Sequence, residues 1–138
     1  MSALYTAEVT SSGDGRSGRV RASDGLIDTA LAAPREIGGP GGATNPEQLF
    51  AAGYAACFHS ALRIAARKQR ATLVGDTVTA RIGLGQDPDG YLLSAELSVH
   101  LPGVPAEQAH SLVQQAHQLC PYSRAVRGNV AVALRVTS

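Results

Sequence analysis

Apolar and polar side chains alternate along residues 3–10 (ALYTAEVT), 18–23 (GRVRAS) and 27–33 (IDTALAA). A period of two predicts three short strands, and the Gly-rich and Asp-Gly segments between them predict turns. The same pattern returns at 77–85 (TVTARIGLG) and 91–101 (YLLSAELSVHL), which flank QDPDG, a segment with the Asp, Pro and Gly of a hairpin loop. A last strand is predicted at 129–136 (NVAVALRV), closing the sheet.

Between the two strand groups the period changes. The segment TNPEQLFAAGYAACFHSALRIAARKQR opens with Asn45 at the N-cap, Pro46 at the first helical position and Gln48 placed for a capping-box-like pair. From Leu49 to Ala66 this helix has almost no charge on any face, so it needs cover all round, and a second copy of the chain is a natural source of it. A second helix is predicted over 105–119, with Ala109, Leu112, Val113 and Ala116 on one face and a stop before Pro121. The resulting order, β-β-β-α-β-β-α-β, is that of a single α+β domain spanning residues 1–138.

Composition narrows the functional classes. Apolar residues are 44% of the 138, charged residues 17%, and the formal charge is +1, which describes a globular chain with no field that favours nucleic acid or membrane. Tryptophan is absent and aromatics are 4%, too few for a base-stacking platform. Neither a signal-peptide pattern nor an unbroken apolar stretch of about 18 residues is present, so the expected location is the cytoplasm, where thiols stay reduced.

Two cysteines remain to be explained, Cys57 in AACFHSAL and Cys120 in HQLCPYS. Several chemistries are open. As buried thiols they would pack as small hydrophobes. With His59 and His117 they make a four-ligand set of the kind zinc accepts, although Cys57 and His59, two apart on a helix, point about 200° from each other. A redox pair suits their surroundings better: Cys57 lies beside Ala55 and Ala56, which leave room at sulfur, and Cys120 lies at a helix end before Pro121. The Gly-rich stretch 37–45 is read as a turn, since it lacks the Lys-Ser/Thr of a phosphate-binding loop and Pro40 removes a donor.

GGATNPEQLFAAGYAACF followed by HQLCPYSRAVRGN resembles the organic hydroperoxide resistance (Ohr) family of thiol peroxidases, within the OsmC/Ohr superfamily. The likeness includes the N-terminal YTAEVTSSGDGRSGRV and the six-strand, two-helix order. Two departures are a glycine loop one residue shorter and Val126 in place of a threonine. The resemblance implies an OsmC/Ohr-like α+β fold of antiparallel strands with two main helices, assembled as an intertwined homodimer with sites at or near the subunit boundary. It implies that Cys57 attacks an organic, including lipid-type, hydroperoxide, that Cys120 resolves the product as a disulfide, and that Arg16 and Glu47 activate the site. No metal or organic cofactor is implied, and dihydrolipoyl groups on lipoylated proteins are the implied reductant.

The chemistry fits these types. A free thiol with a pKa of about 8.5 is only a few per cent thiolate at neutral pH, so a neighbouring cation such as Arg16 favours the reactive form. Arg19 and Arg21 are rivals for that place, but only Arg16 lies in the Gly-Arg-x-Gly turn. Glu47 near sulfur would do the reverse, so its sensible task is to hold Arg16 in a bidentate pair. Ten residues of unbroken helix would set Glu47 about 15 Å from Cys57. For both to serve one site, the helix is expected to break or bend near Gly53, which would also place a second helix N-terminus by the thiol. Phe50, Phe58 and Tyr122 are expected to line an apolar pocket for bulky hydroperoxides.

Overall fold

A computed structural model describes residues 1–138 and divides the chain into two compact units, Met1–Leu49 and Phe50–Ser138. The N-terminal unit holds an antiparallel sheet of three short strands: β1 (Val9–Ser12), β2 (Arg19–Ala22) and β3 (Asp28–Ala30). The alternation predicts strand from residue 3, yet the ladder begins at Val9. The reason is the length of β2, whose last residue, Ala22, pairs with Val9 and is followed by a tight turn at Asp24–Gly25. None of β1, β2 or β3 contains a buried residue, and Tyr5, Val9, Leu26 and Ile27 stand exposed.

Helix α1 (Pro46–Lys68) begins as the sequence dictates. Asn45 Oδ1 accepts from the Gln48 N–H at 2.9 Å, filling the N-cap role, while the Gln48 side chain turns to the Thr44 hydroxyl at 2.7 Å. The helix is unbroken through Gly53, which corrects the expected break. Gly53 serves packing instead: a Cβ there would stand 2.6 Å from Tyr122 Oη and 3.1 Å from its ring. The helix N-terminus expected beside Cys57 is therefore absent, and Cys57 lies in the middle of α1.

In the C-terminal unit, β4 (Thr77–Asp87) and β5 (Gly90–His100) form a hairpin whose turn is Pro88–Asp89, with the Asp89 N–H bonded to Asp87 Oδ1 at 2.8 Å. β6 (Val132–Thr137) adds to the other edge of β5, but parallel to it. A parallel neighbour requires a crossover, and α2 (Ala106–Leu119) with α3 (Pro121–Val126) provides one. Helix α3 is an addition to the predicted order. Pro121, read as a stop for α2, also starts a new helix, because at the first helical position its missing N–H costs nothing.

The core joins one stripe of each helix to one face of this sheet. Tyr54, Phe58, Ala61, Leu62, Ala65 and Ala66 of α1 pack with Ala95, Leu97 and Val99 of β5 and with Ala109, Leu112, Val113 and Ala116 of α2. By length and a mean hydropathy of 1.3 over its best window α1 is apolar enough to cross a membrane, but the same composition is what a central core helix needs. Its opposite face, Ala52, Ala56, Ser60 and Ile64 at intervals of four, is exposed in the single chain. Val126, the departure from the expected threonine, belongs to the core cluster, where an apolar side chain suits.

Asp76, at the entry to β4, ties that strand to α1. Its carboxylate lies 2.7 Å from His59 Nε2 and accepts from Arg63 Nη2 at 3.1 Å, with only 6% of the side chain exposed. Burial pushes this carboxyl up, but the His59 and backbone hydrogen bonds and the Arg63 charge outweigh it and hold the pKa below the usual value.

Two outcomes follow from this packing. Gly53→Ala ordinarily gains about 1 kcal/mol in a helix interior; here the new methyl must displace the Tyr122 ring, so thermal denaturation is expected to show no gain or a loss, and a gain of that size would contradict the packing role. A carboxyl with a depressed folded pKa stabilises fully above its unfolded pKa, about 3.9, and loses that contribution as pH falls through the folded value. Urea unfolding is therefore expected to show Asp76→Asn less stable than the parent at pH 7, with the gap closing below about pH 4.

Candidate active site

Arg16 sits in a 3-10 turn, Gly15–Ser17, at the tip of the β1–β2 hairpin. Gly15 takes φ +62, which a side chain would resist, and the Gly18 N–H closes the turn on the Gly15 carbonyl at 2.9 Å. The turn presents the guanidinium to Glu47 in the first turn of α1. Arg16 Nη1 donates to Oε2 at 2.9 Å and Nη2 to Oε1 at 2.7 Å, a two-bond pair. The Arg16 hydrogen bond is the largest influence on the Glu47 carboxyl and, against burial, holds its pKa below the usual range. The rivals are engaged elsewhere, since both Arg19 and Arg21 face Asp28 on β3, at 2.8 and 3.7 Å.

Within the C-terminal unit the two cysteines meet. Both are free thiols, Cys57 half-buried and Cys120 fully buried, and their sulfurs are 3.7 Å apart although 63 residues separate them in sequence. Cys120 occupies the corner between α2 and α3, the residue that ends one helix and caps the next. Burial pushes the Cys57 thiol pKa up. The Tyr122 backbone N–H bonded to it pulls the other way, and the Cys120 thiol adds to the rise through its hydrogen bond and its charge.

An aromatic group stands by the pair. Tyr122 packs edge-on to Phe50 at 6.0 Å between ring centres and 5.8 Å from Tyr54, which lies 6.2 Å from Phe50. Phe58, expected with them, is wholly buried in the core instead. Tyr54 was not singled out by the sequence, although it stands one helical turn before Cys57.

The histidines part company with the thiols. His59 is held by Asp76, and His117 Nδ1 lies 2.9 Å from the buried Ser123 hydroxyl. No three His, Cys, Asp or Glu side chains converge as a metal site would need, so the four-residue zinc set is not brought together. Ser123 had no signal of its own in the sequence. It is fully buried and also bonds Tyr54 Oη at 2.7 Å.

Known proteins share the sequence and fold of this chain. The family of OsmC-like proteins matches residues 39–135. An organic hydroperoxide resistance protein of Xanthomonas axonopodis pv. citri is 48% identical over 133 residues, covering 95% of this chain and 93% of that one. Among solved structures, an organic hydroperoxide resistance protein from Legionella pneumophila superposes with a TM-score of 0.95 at 49% identity, over 99% of this chain and 100% of that one. A Vibrio cholerae protein described as an organic hydroperoxide resistance protein, with captopril bound in one of its active sites, gives a TM-score of 0.92 at 46% identity, over 100% and 95%. With a family match over most of its length, and relatives this similar across nearly all of it, the chain belongs to the OsmC-like family and, within it, to the organic hydroperoxide resistance proteins.

Proposed function

We propose that this protein is a cytoplasmic thiol peroxidase that reduces organic hydroperoxides to alcohols through Cys57 and Cys120. The observation that carries the reading is the approach of two reduced sulfurs, 63 residues apart in sequence, to 3.7 Å in a member of this family. The Cys57 thiolate attacks the distal peroxide oxygen, the O–O bond breaks, and the alkoxide leaves as the alcohol after taking a proton. Cys57 becomes a sulfenic acid. The Cys120 sulfur then attacks the Cys57 sulfur, the S–O bond breaks, water leaves and a disulfide forms. A dithiol such as a dihydrolipoyl group reopens it by way of a mixed disulfide. Phe50 and Tyr122, packed edge-on, offer an apolar wall suited to bulky or lipid-type hydroperoxides.

Burial raises the Cys57 pKa, so attack at neutral pH needs a cation by the sulfur. Arg16 is assigned that task and Glu47 the task of holding it. Because unbroken helix sets Glu47 about 15 Å from Cys57, the pair that serves each thiol is assigned to a second copy in a homodimer. Two observations support that assembly: the N-terminal sheet buries neither face, and the stripe Ala52, Ala56, Ser60 and Ile64 is exposed on α1.

Two experiments test these assignments. In a coupled assay with dihydrolipoamide, the parent is expected to consume tert-butyl hydroperoxide continuously and faster than hydrogen peroxide. Cys57→Ser should abolish consumption, and Cys120→Ser should consume about one equivalent and then stop or slow. A single equivalent from the parent itself would instead indicate a redox sensor that forms the disulfide without turnover. For the shared site, Arg16→Ala and Cys57→Ser chains are co-expressed with different tags and the mixed dimer isolated. One intact site then forms, so about half the parent activity is expected from two nearly inactive chains; an inactive mixed dimer would place each site within one copy.

A further inference from the structure

Ser123 is the buried polar side chain that the reaction above leaves without a task, and its two partners stand in a telling position. Its hydroxyl lies 2.7 Å from Tyr54 Oη on α1 and 2.9 Å from His117 Nδ1 on α2. Tyr54 precedes Cys57 by three residues, and His117 precedes Cys120 by three. One turn back along each helix from the thiol pair, then, a second cross-link joins the same two helices, through a residue at the start of α3. Residues three apart lie on one helix face, so the two links run side by side.

We propose that Ser123, bridging Tyr54 and His117, is a positioning residue for the resolving step, setting where Cys120 stands relative to Cys57. Condensation requires the sulfurs to close from 3.7 Å to about 2 Å, and a misplacement of about 1 Å is enough to cost a hundredfold in such a step. A single hydroxyl fits the task because it serves both partners at once, donating to one and accepting from the other. Tyr54 and Ser123 are fully exposed to no solvent, so a lost bond there is not replaced by water. The corner is closed by two more ties: the Arg124 N–H donates to the Cys120 carbonyl at 3.0 Å, and Arg127 Nη2 donates to the His117 carbonyl at 2.8 Å.

The inference rests on the peroxidase reading, and the test separates the two. Stopped-flow measurements with tert-butyl hydroperoxide resolve loss of the Cys57 thiol from appearance of the disulfide. Ser123→Ala is expected to slow disulfide formation on the order of tenfold or more, while the rate of thiol loss stays within about twofold. His117→Leu should reproduce this split, and His117→Asn, whose amide reaches the place of Nδ1, should restore fast resolution. If Ser123→Ala does not fold, Tyr54→Phe removes one hydroxyl from the same bridge and is read in the same way. Parent-like disulfide formation in the folded variants, equal slowing of both steps, or failure of His117→Asn to differ from His117→Leu would overturn the role of Ser123. A parent protein that forms no disulfide with the peroxide would instead overturn the peroxidase reading itself.

Discussion

The seating of the α2–α3 corner on the middle of α1 is the contact on which the candidate chemistry depends. It rests on the absence of one carbon atom, since Tyr122 lies where a Cβ on residue 53 would project. With the ring there, the Cys120 sulfur stands 3.7 Å from that of Cys57. Packing, not a covalent bond, holds the thiols within reach, which a cycle that opens and closes a disulfide requires.

This placement also creates the problem that the proposed reaction must solve. A thiol in the middle of a core helix is partly dry, and burial disfavours its charged form. A helix N-terminus would have helped, but α1 begins more than two turns earlier and continues well past Cys57. One backbone N–H opposes the rise. In the proposed reaction the Arg16 guanidinium, held by two hydrogen bonds to Glu47, is the cation that favours the thiolate.

The proposed assembly and the proposed chemistry are linked through the same helix. One stripe of α1 is consumed by the core of the C-terminal unit, whereas the stripe from Ala52 to Ile64 carries small or apolar side chains with no cover in the single chain. The N-terminal strands, exposed on both faces, have a similar need, because a small sheet is not stable without a packed face. The proposed dimer would answer both needs and bring a second Arg16–Glu47 pair into the assembly.

Local rules made much of the fold legible in the sequence. Asn45 and Pro46 fix the start of α1, the alternation along 91–101 selects Ala95, Leu97 and Val99 for the core, and the spacing of Ala109, Leu112, Val113 and Ala116 selects the buried face of α2. These are determined by neighbours a few residues away, so sequence alone decides them. Its limits appear where the deciding partner is remote. Gly53 reads as a weak point in a helix until Tyr122, 69 residues later, is seen to fill its place. His117 stays one member of a disfavoured zinc set until the Ser123 hydroxyl is seen beside its Nδ1, and β6 reads as one more antiparallel strand until the crossover through α3 sets its direction. Long-range packing decides which of several locally permitted roles a side chain adopts, and only the tertiary structure contains it.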